Sequence, residues 1–312
     1  MFTLNFFKKN IIITNLFLII LIFSGCKKKK VILKRVEIKQ SICSSDINLE
    51  HDQKVANVTI WIHGTRLLPK WMANRYFESD PGLNTAEAVN KKFYMRTVVE
   101  TISASESKKH PFDDFYVFGW SGDLSFKQRE KAAQDLHDSL LKLIEKYKSL
   151  NLQPKITIIS HSHGGNVALN LVKFLQCDDL EIDNLILLAC PVQNETKQFI
   201  KHKIFKKIYS FYSSMDVFQI LDPQGLHGFN KNQDKDSKCY LPLFSERRFE
   251  CHEKLCQVKI KINGRGVLHS EFLSQRFLRM IPQIIGAIDS NWQLNSDQSI
   301  NPEYLLSIKF RE

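Results

Sequence analysis

The chain has 312 residues, 43% of them hydrophobic and 25% charged. That is enough apolar material for one large core, and it excludes wholesale disorder. The formal charge of +11 would suit nucleic acid or an anionic membrane, but no nucleic-acid recognition motif accompanies it, so nucleic acid is not expected as a partner.

The N-terminus does not belong to the core. Residues 1–10 carry Lys8 and Lys9 and no acid, residues 11–23 are almost wholly apolar, and Ser24-Gly25-Cys26 follows. A basic head, a short apolar run and small residues describe a secretory signal. This run of thirteen residues (11–23) falls short of the about 20 that a spanning helix needs. The run Phe23-Ser24-Gly25-Cys26 resembles a bacterial lipoprotein lipobox, with Phe23 where that family usually has Leu. The resemblance implies that residues 1–25 are removed and that Cys26 is lipidated, for instance with palmitate. It makes the chain an exported, membrane-anchored lipoprotein of the cell envelope. Lys27 to Lys30 come directly after, a cationic tether suited to an anionic membrane surface or simply a solvated basic tail.

Residues 26–54 are polar and weakly patterned and read as a tether; a single domain is expected over 55–312. It opens with the β-branched strand Val55 to Ile62, ended by His63-Gly64. Further strands are expected at Phe115–Gly119, Ile156–Ser160, Asn184–Ala189, Ile208–Ser213 and Val258–Ile262. Helices are expected at Lys127–Leu150, Gly165–Gln176, Glu195–Ile204 and Ser270–Ile288. The alternation predicts an α/β fold, a mostly parallel, doubly wound sheet covered on both faces. Two irregular inserts, 66–90 and 222–257, are long enough to be lids or binding loops.

The segment with most chemistry in it is Ile156-Thr157-Ile158-Ile159-Ser160-His161-Ser162-His163-Gly164-Gly165. A strand enters a tight turn with Ser162 at its tip and leaves as a helix. The Gly-x-Ser-x-Gly nucleophile elbow has this context, because small neighbours let strand and helix approach. Gly164 meets that need, and Ser160 replaces the first glycine. The chain here resembles the α/β-hydrolase superfamily, on its lipase and esterase side, over residues 55–288.

A serine hydroxyl is a weak nucleophile without a base, and the base needs an acid to hold its tautomer. The resemblance implies a histidine after the last strand, which selects His269 over His227 and His252 of the second insert. It implies an acid in the loop after Ile208–Ser213, which selects Asp216, with Asp222 second. The order Ser162, Asp216, His269 is that of the superfamily. Oxyanion donors are expected at the backbone N–H groups of His163 and Thr65, with His63 a buried histidine bracing the turn.

Three cysteines, Cys239, Cys251 and Cys256, cluster in an exported chain and read as disulfide-bonded before metal-binding. No metal or organic cofactor is implied. The expected activity is hydrolysis of an apolar or lipid ester through an acyl-enzyme, with Leu67, Leu68, Trp71 and Phe77 near the mouth. The rival expectation is an inactive hydrolase fold serving as a surface scaffold.

Overall fold

The structure is a computed structural model. It describes residues 54–66, 80–175, 180–221 and 245–293, together with the strand segments 34–36 and 303–308. The leader, Cys26 and Lys27 to Lys30 lie outside the described residues, as do Leu67, Leu68, Trp71, Phe77, Cys177, Asp222, His227 and Cys239.

Among the described residues ten strands form one sheet: β1 (Lys34–Val36), β2 (Lys54–Ile62), β3 (Gly82–Thr85), β4 (Phe115–Gly119), β5 (Leu152–His161), β6 (Ile182–Leu188), β7 (Phe205–Tyr212), β8 (Leu255–Ile262), β9 (Arg265–Gly266) and β10 (Glu303–Ile308). Their order is β1-β10-β8-β7-β6-β5-β2-β4-β3, with β9 paired to β8 off this path. All pairings are parallel except β3 with β4 and β9 with β8. This is an α/β-hydrolase-type sheet.

The central strands are apolar on both sides because both sides are covered. Ile158 of β5 packs into one core with the helix α2 (Phe126–Ser149) and the short helix α3 (Gly164–Leu169). Its neighbour Ile159 packs into the opposite core, with α1 (Tyr94–Ser105), α4 (Gln275–Leu278) and α5 (Ile281–Gln293). Alternate residues of one strand thus supply two cores, each fully buried side chain contributing about 1.5–3 kcal/mol.

Strand order also decides where a site can open. From β2 the chain crosses to β4 on one side, and from β5 it continues to β6 on the other. The connections leave β2 and β5 in opposite directions, so a crevice forms beyond their carboxyl ends, as in other open α/β sheets.

Several elements depart from expectation. The helix expected over Gly165–Gln176 ends at Leu169 and tightens to a 3-10 turn over Asn170–Phe174. The Asn170 side chain donates to the Asn166 carbonyl there (2.8 Å), competing with the helical ladder. The expected helix Ser270–Ile288 is broken into a 3-10 turn (His269–Leu273), α4 and α5, with Pro282 in the first turn of α5. Glu195–Ile204 holds only a 3-10 turn, Lys197–Lys201. Strands β1 and β10 lie in stretches with no legible strand pattern.

The disulfide expectation is corrected in part: Cys251 and Cys256 are free thiols. Cys256 faces the core beside Val258 and Ile260, while Cys251 is exposed.

Candidate active site

Ser162 stands at the end of β5 with φ +52°, a left-handed conformation uncommon for a side-chain-bearing residue. Its N–H donates to the Leu188 carbonyl (2.8 Å), and its own carbonyl accepts from Gly165 N (3.0 Å). The turn is tight enough to require its glycines. A Cβ on Gly164 would lie 2.5 Å from the His63 carbonyl oxygen, and one on Gly165 would lie 2.5 Å from Cys190 Sγ. Ser160 is tolerated where a glycine is usual because its hydroxyl donates to the Ile186 carbonyl (3.2 Å) inside the sheet.

The loop after β2 lies against the elbow. A Cβ on Gly64 would come within 2.7 Å of Ser162 Cβ, so only a glycine lets this backbone pass the serine. His63 braces the loop from behind. Its Nδ1 donates to the Gly64 carbonyl (2.8 Å), its Nε2 accepts from Trp120 N (3.4 Å), and Trp120 Nε1 donates to the His63 carbonyl (2.8 Å). Burial pushes the His63 imidazole down to about 4, so it is neutral at pH 7. The Phe118–Asp123 stretch therefore supports this loop, and Arg66 N also donates to Gly122 O (2.7 Å). Thr65 is buried, and its Oγ1 has no partner among the described residues.

Asp216 and His269 meet across the next crevice. Asp216 is fully buried, and its Oδ2 accepts from His269 Nδ1 at 2.8 Å. Its other oxygen accepts from Gln219 N (3.0 Å). The carboxylate carries its proton partner on Nδ1, which leaves Nε2 of His269 as the basic nitrogen. Among the described residues, the Ser162 hydroxyl makes no hydrogen bond to His269.

The base is brought there by a hairpin. Asn263 (φ 50°) and Gly264 (φ 80°) form a two-residue turn between Ile262 and Arg265, the left-handed pair that matches strand twist. Gly266 then passes so near the acid loop that a Cβ would meet Met215 Cγ and Ser213 Oγ, each at 2.8 Å. Ser213 Oγ ties the two loops by accepting from Val267 N (2.8 Å) and Met215 N (3.2 Å).

His161 packs under the base. Its Nε2 donates to the His269 carbonyl (3.1 Å), and the two rings lie 4.6 Å apart. Burial, then the neighbouring His269, holds the His161 imidazole well below the usual range. His252 belongs elsewhere: it caps the turn before β8, at the opposite end of the sheet from His269.

Two supporting residues gave no signal in sequence. Arg247, from the insert expected to be a lid, donates from Nε (3.2 Å) and Nη2 (2.9 Å) to the Asp216 carbonyl. Gln219 Nε2 donates to the Cys190 carbonyl (2.8 Å), joining the acid loop to the end of β6. A polar residue in an irregular loop looks the same whether it faces water or a buried carboxylate.

Residues 65–230, more than half of the chain, match the family described as the PGAP1-like alpha/beta domain. The chain belongs to that family. The PGAP1-like match takes in Ser162 and Asp216 and ends before His269. No curated protein matches the chain. Among solved structures, an arylesterase is 12% identical with a TM-score of 0.38, covering 77% of this chain and 78% of its own. A candidate thioesterase from Silicibacter is 9% identical with a TM-score of 0.32, covering 83% and 69%.

Proposed function

We propose that this PGAP1-like domain is a serine hydrolase that cleaves apolar or lipid carboxylic esters through an acyl-enzyme. The single observation that carries the reading is the buried Asp216–His269 hydrogen bond beside the crevice where the elbow presents Ser162.

In this reading His269 Nε2 takes the proton of Ser162 as its oxygen attacks the ester carbonyl, and Asp216 stabilises the imidazolium. The oxyanion is received by the N–H groups of His163 and Thr65, from the elbow and from the loop that Gly64 lets pass. His269 then gives its proton to the departing alcohol. Water enters, again activated by His269, and frees the acid from Ser162. The ligand-free hydroxyl closes on the base only with substrate bound, as such bonds often do. The enzyme is held at a membrane by lipidated Cys26 and by Lys27 to Lys30, which supports a substrate that partitions into lipid.

The test is labelling by a fluorophosphonate probe alongside hydrolysis of p-nitrophenyl esters. Wild type should label and turn over, while Ser162→Ala should do neither and keep its circular dichroism. His269→Ala should lower kcat by several orders of magnitude. Unlabelled wild type would mean an inactive fold serving as a scaffold.

A further inference from the structure

Five large apolar side chains are exposed among the described residues: Val55, Leu150, Met215, Phe218 and Leu268. Three of these belong to the two loops that carry Asp216 and His269. Met215 precedes the acid, Phe218 follows it by two, and Leu268 precedes the base. Their exposures are 45%, 59% and 47%, and the Phe218 ring lies 6.0 Å from that of His269. Scattered single exposed residues need no explanation, but three on the two loops that carry one acid–base pair do.

The cluster is held in place. Ser213 Oγ binds the backbones of Met215 and Val267 together, and Met215 packs over Gly266 where no Cβ intervenes. Gln219 anchors the far side of the acid loop through Asp216 and the Cys190 carbonyl. Apolar groups carried on loops fixed in this way are partly preorganised for a ligand, because little loop entropy is lost on contact.

We propose that Met215, Phe218 and Leu268 form a shelf for the alcohol portion of the ester, so that selection falls on an apolar leaving group. The proposal rests on the serine mechanism above. In that mechanism the tetrahedral intermediate collapses by breaking the bond between the acyl carbon and the alcohol oxygen. The proton on His269 Nε2 passes to that oxygen, and the acyl carbon stays bonded to Ser162 Oγ. The leaving oxygen must therefore lie beside His269, and whatever surrounds His269 touches the alcohol side rather than the acyl side.

The experiment uses the full chain and two series of monomeric esters, measured by proton release. One series is acetates of straight-chain alcohols from methyl to octyl; the other is methyl esters of straight-chain acids of matching length. The expected result is a kcat/KM that rises roughly twofold per methylene in the alcohol series, half-exposed contacts giving less than the about fourfold of full burial. The octyl-to-methyl acetate ratio should fall about tenfold in Phe218→Ser and in Leu268→Ser. A rise confined to the acyl series, or a ratio unchanged in both variants while esters still turn over, would overturn the shelf and leave the serine reading intact. Variants that lose binding to anionic phospholipid vesicles but keep the ratio would assign the patch to the membrane instead, and overturn the shelf. Failure of wild type to hydrolyse either series or to label at Ser162 would remove both readings together.

Discussion

Asp216 and His269, 53 residues apart in the chain, are joined by a 2.8 Å hydrogen bond whose carboxylate is fully buried. The acid can be so deep because its oxygens are satisfied by His269 and Gln219 and its carbonyl by Arg247. A buried carboxylate with fewer partners would be costly.

Asp216→Asn should keep the shape of this loop and lose the charge. Nδ1 of His269 would then no longer be held as the protonated nitrogen. A fall in kcat of about 10³–10⁴ is expected, with little change in KM. Steady-state kinetics on a p-nitrophenyl ester checks it; activity within tenfold of wild type would remove Asp216 from its role.

Arg247 acts on the acid without reaching the reacting atoms. Arg247→Met should lower kcat by about tenfold, because the Asp216 carbonyl loses both donors. Steady-state kinetics on a p-nitrophenyl ester checks it, and Arg247→Lys, which keeps a donor toward that carbonyl, should recover part of the loss.

Gly165→Ala places a Cβ 2.5 Å from Cys190 Sγ and 2.9 Å from Leu187 Cδ2. Overpacking of this kind costs about 1–3 kcal/mol. Urea unfolding should show that loss, and Cys190→Ala in the same chain should recover part of it by clearing the sulfur.

Three buried histidines make stability depend on pH. Burial lowers His63 and His110 from 6.5 to about 4, and it also holds His161 well below its ordinary value. The unfolded chain binds these protons first, so their contribution is full above pH 6.5 and declines as pH falls toward about 4. For His63 and His110 a shift of that size has an upper bound of about 3 kcal/mol each. Urea midpoints measured at pH 7.5, 5.5 and 4.5 should fall in that order, and a midpoint constant over the range would contradict the burial argument.

Cys26→Ser should move the protein from the membrane fraction to the soluble one, since the acyl anchor is lost. Mass spectrometry of the mature N-terminus reads the same point directly. An intact Met1 or an unmodified Cys26 would end the lipoprotein proposal.

What the sequence determined by itself were the features written in neighbouring residues. Strand β5 leading through the Ser162 turn into a helix, and strand β4 to the residue, depend on local propensity and small side chains. The strands that precede Ser162, Asp216 and His269 were legible too, as β-branched and apolar runs. Other features depend on which surfaces meet. Arg247 is a residue of an irregular insert until the fold lays it against the Asp216 carbonyl, and His161 is one more histidine until His269 arrives above it. The break in the C-terminal helix, the free thiols of Cys251 and Cys256, and the clustering of Met215, Phe218 and Leu268 were equally hidden. Periodicity tells which face of an element is buried, but only the packing of distant elements decides what lies opposite a given atom.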